Sequence, residues 1–344
     1  MTRSLLNTLF VTTPGAFVRL DGDTVRVEAN GEKLIQMPLL HLGALVLFGG
    51  ASMSPPLMNR CAEEGREITF LDFAGRFKCR VVGPVSGNVL LRKAQYEAVI
   101  DPARTVAIAR PIVAGKVKNA RQTLLRAARE VKVLEQTTIL NEQAAFMAVY
   151  LETLPDMQSL DQIRGIEGQA ASCYFLAFGA MITRPAAEFA FVTRTRRPPR
   201  DRVNALLSFI YSLLTADCVA ACEGVGLDPQ FGYLHCLRPG RPALALDLME
   251  EFRSFLADRL VLTLINRRQI QPEHFEARPG ESVLLTAEGR KIVLTAYHTR
   301  KQEEVTHPLL QTKTPLGLLP HLQARLLARH LRGDLPSYLP FVAK

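Results

Sequence analysis

The densest grouping of residues able to do chemistry lies in Phe231–Arg253, FGYLHCLRPGRPALALDLMEEFR. His235 comes first, then a Pro/Gly turn, then Asp247, Glu250 and Glu251 inside an apolar run. From Ala243 onward, Leu244, Leu248, Phe252, Phe255 and Leu256 recur at helical spacing. Asp247 and Glu250 are three residues apart on that helix, so they project from one face about one turn apart. Carboxylates in so apolar a helix are unfavourable unless something positive meets them. A divalent cation, with His235 as a nitrogen ligand, is one such partner. A solvated polar stripe on an amphipathic helix is the other reading.

A further acid, Glu167, sits between Gly165 and Gly168 in RGIEGQAASCYFLAFGAM, a helix whose other faces are small or apolar. Small residues let a second helix approach closely, and the apolar surroundings favour a buried ligand over a surface residue. Two oxygen ligands and an imidazole suit Mn²⁺ or Mg²⁺, with positions left for a substrate phosphate and water. Zinc competes for such a set, but no HExxH is present. Arg194-Thr195-Arg196-Arg197-Pro198-Pro199-Arg200-Asp201-Arg202 adds a basic segment. Its prolines favour an extended backbone that holds guanidiniums apart and clear of any helix. Arginine forks match phosphate oxygens, which makes Arg194, Arg196 and Arg200 candidate DNA contacts; an exposed loop with incidental charge is the alternative. Arg253, at the end of the acidic helix, and Lys301 join them.

The totals agree with an anionic partner. Lys and Arg number 42 against 33 Asp and Glu, a formal charge of +9, which favours a polyanion such as nucleic acid. The six cysteines are scattered without a CxxC pair, as expected for reduced, buried thiols in the cytosol. No Walker loop, no dinucleotide fingerprint in a suitable context and no GxSxG is present. Asp217 and Cys218 lie in an apolar helix, where a structural cysteine is expected. The N-terminal MTRSLLNTLFVTTPG lacks the features of a signal peptide, and no run approaches the ~20 apolar residues of a membrane span. A cytoplasmic protein with no membrane partner is expected.

The elements that must position these residues make an α+β fold in two parts. Residues 1–86 read as β-rich. Thr24–Glu28 and Lys33–Ile35 flank the Asn30-Gly31 turn, and Ala44–Phe48 is a buried run. Glu67–Phe73 and Phe77–Val82 flank Ala74-Gly75. Ser54-Pro55-Pro56 opens a short helix that closes at Gly65. With no ligand cluster, this part is expected to dimerise or dock. Gly83-Pro84 and Gly87 mark the boundary, and residues 87–344 read as the helical catalytic part. It comprises Val89–Val99, a basic helix over Thr105–Gln136 that Pro111 ends or kinks early, Ser159–Met181, an Asp201-capped helix to Gly224, Ala243–Asn266 and Leu316–Leu331. Ser282–Ala287 and Lys291–Leu294 read as a hairpin around Glu288-Gly289, and the tail beyond Gly333 as extended.

GIEG at Gly165–Gly168, RTRRPPRDRVNALLS at Arg194–Ser208 and the spacing from His235 to DLMEEFR resemble the CRISPR-associated adaptation integrase family, also called CRISPR-associated endonuclease one. The resemblance runs through the whole chain. It implies a metal-dependent DNA nuclease and integrase that inserts spacer DNA into a CRISPR array by transesterification. Glu167, His235 and Glu250 would take the metal-ligand positions, with Asp247 the neighbouring acid of the same motif. Glu250 stands where some relatives carry Asp. A homodimer, double-stranded spacer and array DNA, and a small ferredoxin-like partner protein are implied too. A non-catalytic DNA-bridging scaffold and a stand-alone junction-cleaving nuclease are the rival functions.

Overall fold

Alternation in the first quarter of the chain builds two four-stranded sheets. In this computed structural model, residues 8–72, 77–81, 83, 89–184, 187–280 and 282–343 are described. The strands are β1 (Thr8–Val11), β2 (Phe17–Asp21), β3 (Thr24–Ala29), β4 (Glu32–Pro38), β5 (Ala44–Phe48), β6 (Ser52–Met53), β7 (Glu67–Leu71) and β8 (Phe77–Val81). Val25, Val27 and Ala29 of β3 point inward while the intervening residues do not. Asn30 and Gly31 both take positive φ, 53° and 81°, as a tight hairpin between β3 and β4 requires. One sheet has the order β4-β3-β2-β6; the other, β1-β5-β7-β8, is parallel except for β7–β8. Helix α1 (Pro55–Glu63) crosses between β6 and β7, and Gly65 ends it at φ 66°. Ala74-Gly75, Pro84 and Gly87 lie outside the described residues.

The two sheets enclose a small core around Val18, Leu45, Leu57 and Ile68. Phe48 of β5 and Leu71 of β7 belong instead to the large helical core, and the Phe48 ring meets Phe209 at 6.4 Å. Arg80 of β8 pairs with Glu223 across this seam, and a pair within the helical part, Lys301 with Asp217 at 2.9 Å, stands beside it. Edge strand β4 exposes Leu34 and Ile35.

The helices begin with α2 (Val89–Ile100) and α3 (Pro102–Glu130). The basic helix expected over Thr105–Gln136 starts earlier, because Asp101 caps it by accepting from Ala103 and Arg104 N–H. Pro111 neither ends nor divides it. A separate helix, α4 (Leu134–Thr153), follows. Then α5 (Leu160–Phe178) opens with a capping box of Ser159 and Gln162, and Asp201 caps α6 (Arg202–Gly224) through Asn204 N–H. With a mean hydropathy of 1.8, α6 is apolar and long enough to cross a membrane, contrary to the expectation that no such run exists. It is the central core helix: Leu206, Leu207, Ile210 and Leu214 are wholly buried.

The continuous helix expected over Ala243–Asn266 is broken. Helix α7 (Ala243–Met249) ends at Glu250; a π-helical turn, Arg253–Asp258, follows, and α8 (Arg259–Asn266) resumes. A π turn carries one residue more than an α turn and is a frequent feature of functional sites. The expected hairpin around Glu288-Gly289 is also corrected. Strand β10 (Ser282–Leu285) pairs backward with β9 (Phe275–Arg278), and Glu288 and Gly289 open α9 (Ala287–Gln302). Val293, Tyr297 and Lys301 make its buried stripe at helical spacing, which the β-like run KIVLT concealed. Strands β11 (Glu304–Thr306) and β12 (Lys313–Pro315) pair before α10 (Leu319–Leu331).

The tail returns across the helical half. Glu251 accepts from Tyr338 Oη–H, Gln323 Nε2 at 2.9 Å and Phe341 N–H at 2.7 Å, while Asn119 bonds both Phe341 and Ala343. Burial pushes the Glu251 carboxyl up to about 8, against those hydrogen bonds, and burial pushes Glu67 up to about 7. From about pH 4.5 to 8 the folded chain therefore holds protons that the unfolded chain has released, so stability falls as pH rises through that window. The loss is expected to be on the order of a few kcal/mol. Urea unfolding from pH 5 to 9 measures it. Glu251→Gln should flatten the profile; an equally steep profile in that variant would contradict this origin.

Candidate active site

Asp247, on α7, has no exposed surface, and its carboxylate has four donors. Tyr233, Leu234 and His235 give it their backbone N–H groups at 2.5, 2.9 and 2.9 Å, and His235 Nδ1 lies 2.7 Å away. This folds the segment before the Pro/Gly turn over the start of α7. Gly232 makes the passage possible, because a Cβ there would lie 2.7 Å from Asp247 Oδ2 and 2.6 Å from the Ala243 carbonyl carbon. His235 donates Nδ1–H to the Asp247 carboxylate, which turns Nε2 toward Glu250, 3.8 Å from its Oε1.

Glu250 follows the last turn of α7 and is 2 % exposed. Its Oε1 accepts from Arg253 Nη1 at 2.7 Å, and its Oε2 lies 2.6 Å from Lys116 Nζ without a well-directed hydrogen bond from it. Burial would push the Glu250 carboxyl up; Arg253, Lys116 and His235 reverse that and hold it below the ordinary carboxylate range. Lys116, from α3, also bonds Glu167 from α5, so a single ammonium bridges two of the expected ligands. Arg253 lies 4.4 Å over the Tyr211 ring, and Tyr211 Oη donates to Asp258 at 2.6 Å at the end of the π turn.

The structure thus brings together Glu167 of α5, His235 of the loop before α7, Asp247 of α7 and Glu250 at the end of that helix. Asp247 faces the backbone and His235, so it orients the imidazole. Among the described residues, no three His, Cys, Asp or Glu side chains converge as a formed metal centre. The cation between Glu167 and Glu250 is Lys116. Sequence reasoning placed Lys116 on a basic helix face without linking it to the acids. A lone lysine in the small, apolar stretch Val113–Val117 carries the same signal that singled out Glu167.

The basic candidates separate. Arg194 is not held clear of the helices: its guanidinium turns inward to Asn204 Oδ1 at 2.7 Å and Ser208 Oγ at 3.1 Å, and burial lowers its pKa to about 10. Arg196 lines a small cavity beside Glu250, Arg253 and Tyr174. Arg200 lies exposed on the same loop, its backbone N–H on Thr195 Oγ1 at 3.0 Å. Arg253 is committed to Glu250. Lys301 is 7 % exposed and bound to Asp217 at the seam with the sheets, so the structure does not bring it to this site.

A β region of two sheets, a helical platform and a buried acid–histidine cluster define the class. The structure superposes on a CAS1 protein from Thermotoga maritima with a TM-score of 0.81 at 24% identity, covering 95% of this chain and 97% of that one. A structure titled as a casposase bound to integration product gives 0.82 at 22% identity, over 97% and 92%. A chain of a structure titled Cas6-RT-Cas1--Cas2 complex gives 0.83 at 23% identity, covering 100% of this chain and 37% of that one. In sequence, the family described as CRISPR associated protein Cas1 matches residues 9–299. A CRISPR-associated endonuclease Cas1 of Moorella thermoacetica is 57% identical over 98% of both chains, and one of Rhodospirillum rubrum 49% identical over 99% of this chain and 100% of that one. The chain belongs to the Cas1 family.

If Asp247 holds the loop as the geometry indicates, Asp247→Asn should destabilise the fold by about 2–3 kcal/mol, because buried N–H donors lose a charged acceptor. The urea midpoint reads this directly, and an unchanged midpoint would contradict it.

Proposed function

We propose that the chain is a divalent-metal-dependent DNA endonuclease and integrase of CRISPR adaptation, which joins spacer DNA to the array by transesterification. The observation that carries the metal reading is the Glu250 carboxylate. It is buried and kept ionised, with a side-chain ammonium held between it and Glu167. That is a position built for a cation. Glu167 and Glu250 would give oxygen ligands and His235 its Nε2, a donor set suited to Mn²⁺ or Mg²⁺. When bound, the ion supplies Lewis-acid stabilisation of charge on the reacting phosphate oxygens.

The chain's own residues do the rest. Asp247 fixes the imidazole, and Arg253 keeps Glu250 ionised and seated against Tyr211. Arg196, on the rim of the cavity beside Glu250, and Arg200, on the same loop, contact the DNA backbone; Arg194 braces that loop from inside. A 3′-hydroxyl of the incoming DNA attacks an array phosphodiester, forming one P–O bond as the array's own 3′-oxygen leaves. Residues 1–86 associate two copies, a role supported by the apolar edge of β4 with its exposed Leu34 and Ile35 and by exposed Leu40 in the turn after it. Residues 87–344 carry the chemistry. A small ferredoxin-like protein of the Cas2 kind completes the assembly, and the work takes place in the cytoplasm beside the chromosome.

His235→Ala and Glu167→Gln are expected to abolish Mn²⁺-dependent strand transfer to a labelled array while circular dichroism shows the helical fold retained. Retained joining in either variant would remove the proposed site. Because Lys116 competes for the same position, Lys116→Met should bind Mn²⁺ more tightly in calorimetry. Unchanged or weaker binding would mean the ammonium and the ion do not share a place.

A further inference from the structure

A second feature lies apart from the acidic site. A groove of about 1390 Å³ runs between α3, α8 and α9 and the loop after β1, and it shares no lining residue with the cavity beside Glu250. Arg126, Arg259, Arg267, Lys291 and Arg300 line it. Two of these are answered by acids in the groove, Arg126 by Glu130 and Arg300 by Glu303. Among the described residues, the side chains of Arg259, Arg267 and Lys291 make no hydrogen bond or ion pair. Glu288 is the remaining carboxylate in the lining.

The cations are crowded as well as unanswered. Arg259 and Arg300 flank the Phe255 ring at 5.6 and 5.9 Å. Burial, together with the neighbouring Arg300 and Arg126 charges, lowers the Arg259 pKa to about 10, with Glu130 and Glu303 opposing in part. Arg300 Nε is buried without a partner. Like charges drawn together this way are relieved by an anion. The groove is larger than a small-molecule site, which is typically ~300–1,000 Å³. Arg259 opens α8 and Arg267 directly follows its last residue, roughly 12 Å further along the helix axis, so the unanswered charges form a row. A polymer with regularly spaced phosphates matches a row of cations; a single small anion does not.

We propose that this groove is a second nucleic-acid track, binding the phosphate backbone of duplex DNA away from the acidic site. It rests on the reading that the chain handles DNA, and adds a place where DNA lies beyond the reacting phosphates. Its arginines and lysine contact phosphates, so they set affinity for long DNA without setting the rate at the acidic site.

The test uses the full chain and a fluorescent duplex long enough to leave the acidic site, with anisotropy titrations at several salt concentrations. Arg267→Gln/Lys291→Gln, both at exposed positions, should lower the slope of log affinity against log salt by about two. Joining of a short substrate at saturation should match the parent. Arg259→Gln should lower the slope by about one more. An unchanged slope in a double variant whose parent joins DNA normally overturns the groove alone. A parent with no affinity for DNA overturns both the groove and the integrase reading. Displacement of the duplex from the parent by polyglutamate, at a lower charge concentration than by unlabelled DNA, would assign the groove to an acidic protein face and overturn the proposal.

Discussion

The structure depends on keeping one carboxylate charged where water does not reach it. Glu250 is 2 % exposed and still ionised, because Arg253, Lys116 and His235 each bring positive charge or a ring nitrogen to it. An isolated buried carboxylate would neutralise itself instead. The three partners come from the π turn, from α3 and from the loop before α7, so the charge is stable only when those elements meet. Removing one partner of a buried pair leaves the other charge uncompensated, at about 3–5 kcal/mol. The site and the fold of the helical half are therefore one requirement.

Its neighbour shows the opposite solution. Glu251 is equally buried, yet among the described residues no cation pairs with it; a tyrosine hydroxyl, a glutamine amide and a backbone N–H face it. Burial then prevails and favours the neutral acid. Adjacent residues of one sequence motif thus divide two tasks: Glu250 presents charge to the site, and Glu251 fastens the C-terminal tail behind it. Asp247 has a third, since its charge is spent on orienting His235.

Much of this was legible in the sequence, for physical reasons that also explain the failures. Asp247, Glu250 and His235 stood out because acids in an apolar run need a partner, and Glu167 because its neighbours are glycines. The two-part α+β architecture followed from alternation giving way to helical spacing. Lys116 was not linked to the acids, because periodicity places a residue on a face without saying what faces it. Arg194 was misjudged for the same reason: prolines extend a backbone but do not decide which way a side chain turns, and Asn204 and Ser208 draw it inward. The 291–294 segment read as a strand because its β-branched residues fit either element. The buried stripe that settles it as helix spans Val293 to Lys301, longer than the four residues judged.

The central claim is that the position between Glu167 and Glu250, held by the Lys116 ammonium, is a divalent-cation site completed by His235. Anomalous diffraction from crystals grown with Mn²⁺ tests it most directly. A manganese peak bound by Glu167, Glu250 and His235, with the Lys116 side chain moved off both carboxylates, is the expected result. Manganese bound elsewhere while Lys116 still bridges the two acids would contradict it.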